Sequence, residues 1–138
     1  MTKHIDSFTC MGNTASIVVI GDQQLLHQAR VRLVDLENKW SRFIDTSEIS
    51  LINNSDGKEM YVSADTVTLV RYLVDAQSRT HRLFDPSLLP ALIGLGYGAS
   101  RLDNSMKSDI APNAQWAIPL SETRIDAATG AGAAATGT

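Results

Sequence analysis

Residues 23–40 read QQLLHQARVRLVDLENKW, and this stretch decides the fold class. Its apolar residues recur at alternating spacings of three and four, which places five of them on one face of a helix. The five are Leu26, Ala29, Leu33, Leu36 and Trp40. The stretch therefore predicts an amphipathic helix that follows a cap at Asp22 and needs a partner for its apolar face.

Neighbouring segments supply strands and a second helix. Residues 14–20 are rich in β-branched side chains and end at Gly21-Asp22, which predicts a strand closed by a turn. Residues 64–79 repeat the helical spacing, with Ser63 as N-cap and Asp65 in the first turn. Shorter helices are predicted at 48–52 and 88–95, and further short strands at 60–62, 116–118 and 123–125. Two amphipathic helices beside strands predict an α+β fold.

Composition narrows the function classes. The 138 residues, 43% of them hydrophobic, suffice for one domain, and a net charge of −3 with a pI near 5.5 argues against nucleic acid as a partner. Cys10 lacks a disulfide or metal-ligand companion and is predicted to be a buried apolar residue. Because Lys3, His4 and Asp6 occupy the place of a signal-peptide core, and no apolar run has membrane-spanning length, we expect a cytoplasmic chain without a membrane segment.

Several short motifs, taken in order, identify a family. They are Met-Gly-Asn at 11–13, Ser-Arg-Phe at 41–43, SEISLIN at 47–53, FDPS at 84–87 and LGYG at 95–98. Each fragment is weak by itself, but their order and spacing resemble those of ApbE-type FAD:protein FMN transferases. The resemblance implies an ApbE-like fold related to the T-fold, with helices packed on a mainly antiparallel sheet.

The family resemblance also implies an activity. Proteins of this type use FAD as substrate and attach FMN to a Ser or Thr hydroxyl of an acceptor flavoprotein subunit, with Mg²⁺ assisting cleavage of the pyrophosphate. The alternative is a non-catalytic flavin-binding or protein-interaction domain that has kept the fold and lost the chemistry. The self-sufficient signatures of other enzyme classes, such as a P-loop or HExxH, do not occur in the sequence.

The same resemblance assigns the site residues. Met11 and Phe43 would enclose the isoalloxazine ring, since a thioether and an aromatic face both suit a flat ring. The alternative for both is that they fill the core. The remaining flavin contacts would come from Leu83, Phe84, Asp85 and Asp126, and a magnesium ligand from Thr129.

Two of the family motifs have competing structural explanations. Asp85-Pro86 is also typical of a turn in which the carboxylate accepts local backbone N–H groups. The segment from Ser47 to Asn53 favours helix capping over catalysis. The segment His81-Arg82-Leu83 also departs from the family, which has small, glycine-rich residues before Phe-Asp-Pro.

The C-terminal end departs further from the family pattern. Residues 1–125 are interpreted as the N-terminal part of a transferase domain that is incomplete at its C-terminus. Residues 126–138 contain only Asp, Ala, Thr and Gly, and are expected to be a flexible ending. Because the lysine and the aromatic that usually follow Asp126 are missing, we expect a truncated and inactive portion of such an enzyme.

Overall fold

The computed structural model describes residues 1–55, 58–100 and 107, and the backbone of residues 124–125 and 134–135. Its elements in chain order are β1 (Lys3–Cys10), β2 (Asn13–Ile20), α1 (Gln24–Trp40), α2 (Glu48–Asn53), α3 (Ala64–Arg79), α4 (Leu89–Gly94), β3 (Arg124–Ile125) and β4 (Ala134–Ala135). The α+β class is confirmed. In the described part of the chain no helix is both long and apolar enough to span a membrane.

Strands β1 and β2 form an antiparallel hairpin whose register runs from Lys3↔Ile20 to Cys10↔Asn13. One face of this hairpin carries half-buried residues from both strands, and the other face is exposed. The half-buried face lies against α1, because Arg30 on that helix forms an ion pair with Asp6 at 2.9 Å and stacks on the Phe8 ring at 4.5 Å.

Helix α1 runs along the hairpin in the direction of β1. The partners on the strand advance from Asp6 to Cys10 as those on the helix advance from Arg30 to Leu33, whose carbonyl faces the Cys10 thiol. The five apolar residues predicted to share a face are all half-buried, and the residues between them from Leu25 to Val34 are exposed. Near the end of the helix Asp35, Glu37 and Lys39 are half-buried as well. The predicted helical period is therefore confirmed. Cys10 is buried as expected, and burial raises the pKa of its thiol, helped by Glu37.

Polar contacts join helix α3 to α1. Asp65, in the first turn of α3, accepts hydrogen bonds from Arg32 and from Lys39 on α1. These cations hold the pKa of Asp65 well below its usual range. Val67 and Val70 of α3 are buried, as the predicted apolar face requires.

Three local differences from the sequence prediction have physical reasons. Strand β1 was not predicted, because each of its faces mixes polar and apolar residues and so hides the alternation. The predicted strand at 60–62 is a single bridge residue, Val62. Within the tail, Ala134–Ala135 pairs with Arg124–Ile125, so β-structure occurs where only an irregular ending was expected.

Helices α3 and α4 both end in a Schellman motif, in which N–H groups beyond the helix donate back to its last carbonyls. After α3, Arg82 donates to the carbonyl of Gln77 at 2.9 Å and His81 donates to that of Ser78 at 3.1 Å. After α4 the residue equivalent to His81 is Gly96, with a φ of 93°. His81 has a φ of 51°, a left-handed conformation that favours glycine.

Replacing His81 with Gly is therefore expected to raise the free energy of unfolding by about 0.5–1 kcal/mol. The relieved steric cost of about 1–2 kcal/mol exceeds the added chain entropy of glycine, which is about 0.5–1 kcal/mol. Urea unfolding of the two proteins measures the difference. His81→Ala is the control, because it keeps the Cβ atom and should bring no gain; an equal gain from alanine would contradict the explanation.

Candidate functional site

Met11 lies in the two-residue turn between β1 and β2. Its φ is 53° and that of Gly12 is 71°, so both central residues are left-handed, as in a type I′ hairpin turn. Methionine is a poor residue for this conformation, and the contact that holds it comes from α1: the Met11 N–H donates to Glu37 Oε1 at 2.8 Å. Met11 is 48% exposed, so it does not fill the core.

Phe43 lies after α1 and is half-buried beneath an arginine. The Cζ atom of Arg42 lies 4.1 Å from the centroid of the Phe43 ring and covers one of its faces. Arg42 Nη2 also donates to the carbonyl oxygen of Tyr97 at 2.7 Å. The Ser-Arg-Phe segment and the glycine loop after α4, separated by more than 50 residues of sequence, are thus in direct contact.

Leu83 and Phe84 follow the end of α3 and lie at the surface. Leu83 is 94% exposed and Phe84 is 42% exposed. Their backbone N–H groups are already used, since Leu83 donates to the Thr80 carbonyl and Phe84 donates to Thr80 Oγ1. Any contact of these two residues with a ligand would therefore use their side chains or carbonyl oxygens.

Asp85 forms a closed set of local hydrogen bonds. Its Oδ1 accepts from Ser87 Oγ at 2.5 Å, from the Ser87 N–H at 3.0 Å and from Gln77 Nε2 at 2.8 Å, while Oδ2 accepts from Arg82 at 3.1 Å. The Ser87 donors, with Arg82, lower the pKa of Asp85 to about 2. This geometry is that of the Asx turn predicted as the alternative at Asp85-Pro86, and it fastens the turn to α3.

The segment that contains Ser47 and Glu48 has a structural role. Ser47 caps α2 by accepting from the Ser50 N–H at 3.1 Å, and it is fully buried. Glu48 accepts from the Ser63 N–H and from Ser63 Oγ, each at 2.9 Å. The helix-capping explanation of this motif is thus the one that the geometry matches.

Two of the assigned residues, Asp126 of the flavin site and Thr129 of the magnesium site, lie outside the described residues. Among the residues that are described, no group of three or more His, Cys, Asp or Glu side chains could hold a metal ion. The magnesium site stays a sequence prediction.

Within residues 1–55 and 58–100 no hydrogen bond joins Met11, Phe43 and Asp85 to one another. Met11 is held by Glu37 of α1, whereas Phe43 and Asp85 are held by residues near them in the sequence. Sequence reasoning assigned no role to Arg42 or to Glu37. Arg42 lies within the Ser-Arg-Phe motif, and a cation next to Phe43 could have indicated a role at the site. Nothing in the sequence connects Glu37 with Met11.

The lowered pKa of Asp85 predicts a dependence of stability on pH. Since the folded-state pKa is about 2 and the ordinary value is 3.8, the stabilisation is fully present above about pH 4 and is lost as the pH falls through about 2. The difference in unfolding free energy between the wild type and Asp85→Asn should therefore shrink between pH 6 and pH 2. Urea unfolding across this range measures it, with Asp75→Asn as an exposed control. A gap that is constant with pH would contradict the prediction.

Comparison with known proteins identifies the family of the chain. No curated protein and no solved structure matched the chain. A match to the ApbE family extends over residues 11–133, which includes the Met11 turn, the Phe43 segment and the Asp85 turn. This family membership suggests a flavin-transferase type of function. Because the match covers most of the sequence, the chain belongs to the ApbE family.

Proposed function

We propose that this chain is the flavin-binding portion of a FAD:protein FMN transferase, and that its 138 residues do not complete the transfer by themselves. The observation that carries the proposal is the family match over residues 11–133. In this proposal residues 1–125 form the N-terminal part of the transferase domain, and residues 126–138 form a degenerate tail.

The geometry around Phe43 supports a flavin site. Its ring is half-buried and has Arg42 on one face, so in this proposal the flavin stacks on the other face. Met11 is exposed on a turn held by α1, and Leu83 is almost fully exposed beside Phe84, so three apolar side chains assigned to flavin remain accessible. Exposed apolar groups of this kind favour binding of an apolar ring.

The proposed reaction breaks one bond and forms one bond. The hydroxyl oxygen of a Ser or Thr in the acceptor protein attacks the FMN phosphorus of FAD, the pyrophosphate P–O bond breaks, and AMP leaves with the proton that balances the exchange. Magnesium would neutralise charge on the pyrophosphate. Four of the described carboxylates offer little for this role, because Asp35, Asp65 and Asp85 already accept from cations and Glu48 accepts from Ser63.

A flavin-binding domain without catalysis is the second candidate. The closed hydrogen-bond set of Asp85 favours it, because that carboxylate holds a turn and is not free for chemistry. The two candidates share a flavin site and differ only in transfer. Binding and transfer are therefore tested separately.

Replacing Phe43 with Ala should weaken FAD binding by about 1–3 kcal/mol, through loss of one aromatic stacking partner and its buried area. Titration with FAD, followed by the change in flavin fluorescence, measures the affinity. The control is Tyr72→Ala, which removes an exposed aromatic side chain from α3. Unchanged affinity in a folded Phe43→Ala protein would return Phe43 to the core-filling explanation.

The purified chain is not expected to transfer FMN to an acceptor protein in the presence of FAD and Mg²⁺. Magnesium needs several well-placed oxygen ligands, and after Asp126 the side chains offer only Thr129, Thr136 and Thr138. Covalent flavin on the acceptor is detected by its fluorescence on a denaturing gel. Transfer that EDTA abolishes would show that the 138 residues contain the complete catalytic set.

A further inference from the structure

Arg42 has an N–H group that finds no partner among the residues that the structure describes. Within residues 1–55 and 58–100, Arg42 Nη1 is the buried side-chain nitrogen that lacks an acceptor. Nη2 is used by the Tyr97 carbonyl. Buried donors are nearly always satisfied in folded proteins, because an unpaired one loses its hydrogen bonds to water without replacement. An unpaired guanidinium N–H therefore indicates a place where a ligand oxygen completes the site.

The charge of Arg42 also lacks a counter-ion. Arg42 is half-buried, while every other arginine whose side chain is described is exposed. The ion pairs found among these residues involve Arg30, Arg32, Arg79 and Arg82, and none includes Arg42. Burial lowers the pKa of Arg42, and in the described part of the chain no carboxylate offsets that cost. The missing partner is thus best supplied by an anion.

We propose that Arg42 Nη1 binds a phosphate group of the flavin nucleotide. The inference rests on the proposed function, since it takes the ligand ring to stack on the face of Phe43 opposite Arg42. Among the parts of FAD, only the phosphates carry negative charge at neutral pH. Arginine is the side chain that matches phosphate oxygens best.

The distances favour a contact of Arg42 with the phosphate over a contact with the flavin ring. The Arg42 Cζ atom lies 4.1 Å from the Phe43 ring centroid on one side. A flavin stacked on the other side adds about 3.5 Å, so its plane lies about 7.5 Å from Cζ. An acceptor of a guanidinium N–H must lie within about 4.5 Å of Cζ. The ring carbonyls are out of reach, whereas the phosphate at the end of the flexible ribityl chain can bend back past the Phe43 edge.

Binding of FAD, FMN and riboflavin to the wild type and to Arg42→Gln tests the proposal. The affinities for FAD and FMN should fall about tenfold to a hundredfold, the scale of one charge-assisted hydrogen bond, while that for riboflavin, which has no phosphate, changes less than about twofold. Arg71→Gln is the matched control, because it removes an exposed arginine of α3. An equal loss of riboflavin affinity, or unchanged FAD affinity, would overturn the proposal.

Competition with pyrophosphate tests the proposal on the wild type alone. Inorganic pyrophosphate should displace FAD and should leave riboflavin bound; failure to displace FAD overturns the proposal. If the wild type binds none of the three flavins, the proposed function fails, and direct titration with pyrophosphate then decides. Pyrophosphate binding that Arg42→Gln abolishes keeps Arg42 as a phosphate site, and absence of that binding removes it.

Discussion

The side chain of Thr66 is the point at which three helices meet. It is fully buried, its hydroxyl donates to the Glu48 carboxylate at the start of α2, and it accepts from the Trp40 indole N–H at the end of α1 at 3.0 Å. Glu48 in turn accepts from Ser63, the N-cap of α3. One carboxylate thus completes the N-terminal turn of α3 and anchors α2 on it. The chain from Trp40 to Glu48, which includes Phe43, is fixed at both ends by this network.

Local regularities explain what the sequence could predict. Helices α1 and α3 show an apolar period over 16 or more residues, and α2 shows a capping residue, so each carries its own signal. Strand β1 carries none, because its half-buried face includes His4 and Asp6, which only the register with β2 and the partner Arg30 explain. Elements that depend on distant partners are not visible in a local pattern.

The candidate site, like the fold, could be predicted from the sequence only in part. The resemblance identified the segments that contain Met11, Phe43 and Asp85, and the family match includes all three. The two contacts that shape this region link residues 26 and 55 positions apart, Met11 with Glu37 and Arg42 with Tyr97. A short sequence motif does not predict such contacts, since each depends on where α1 and the loop after α4 lie in the fold.

Backbone strain is concentrated in the segments assigned to flavin. The described non-glycine residues with left-handed φ are Met11, His81 and Arg82. Met11 is compensated by the hydrogen bond to Glu37, and Arg82 by its ion pair with Asp85, whereas the His81 side chain is exposed and contributes no hydrogen bond within the described part of the chain. Strained positions persist when surrounding contacts over-determine them, and they cluster at ligand sites. The type I′ turn accounts for the conformation of Met11 and the Schellman motif for that of His81, so the cost at each position is set by the local backbone. Side-chain contacts then offset that cost at Met11 and at Arg82, whereas at His81 it stays uncompensated within the described residues.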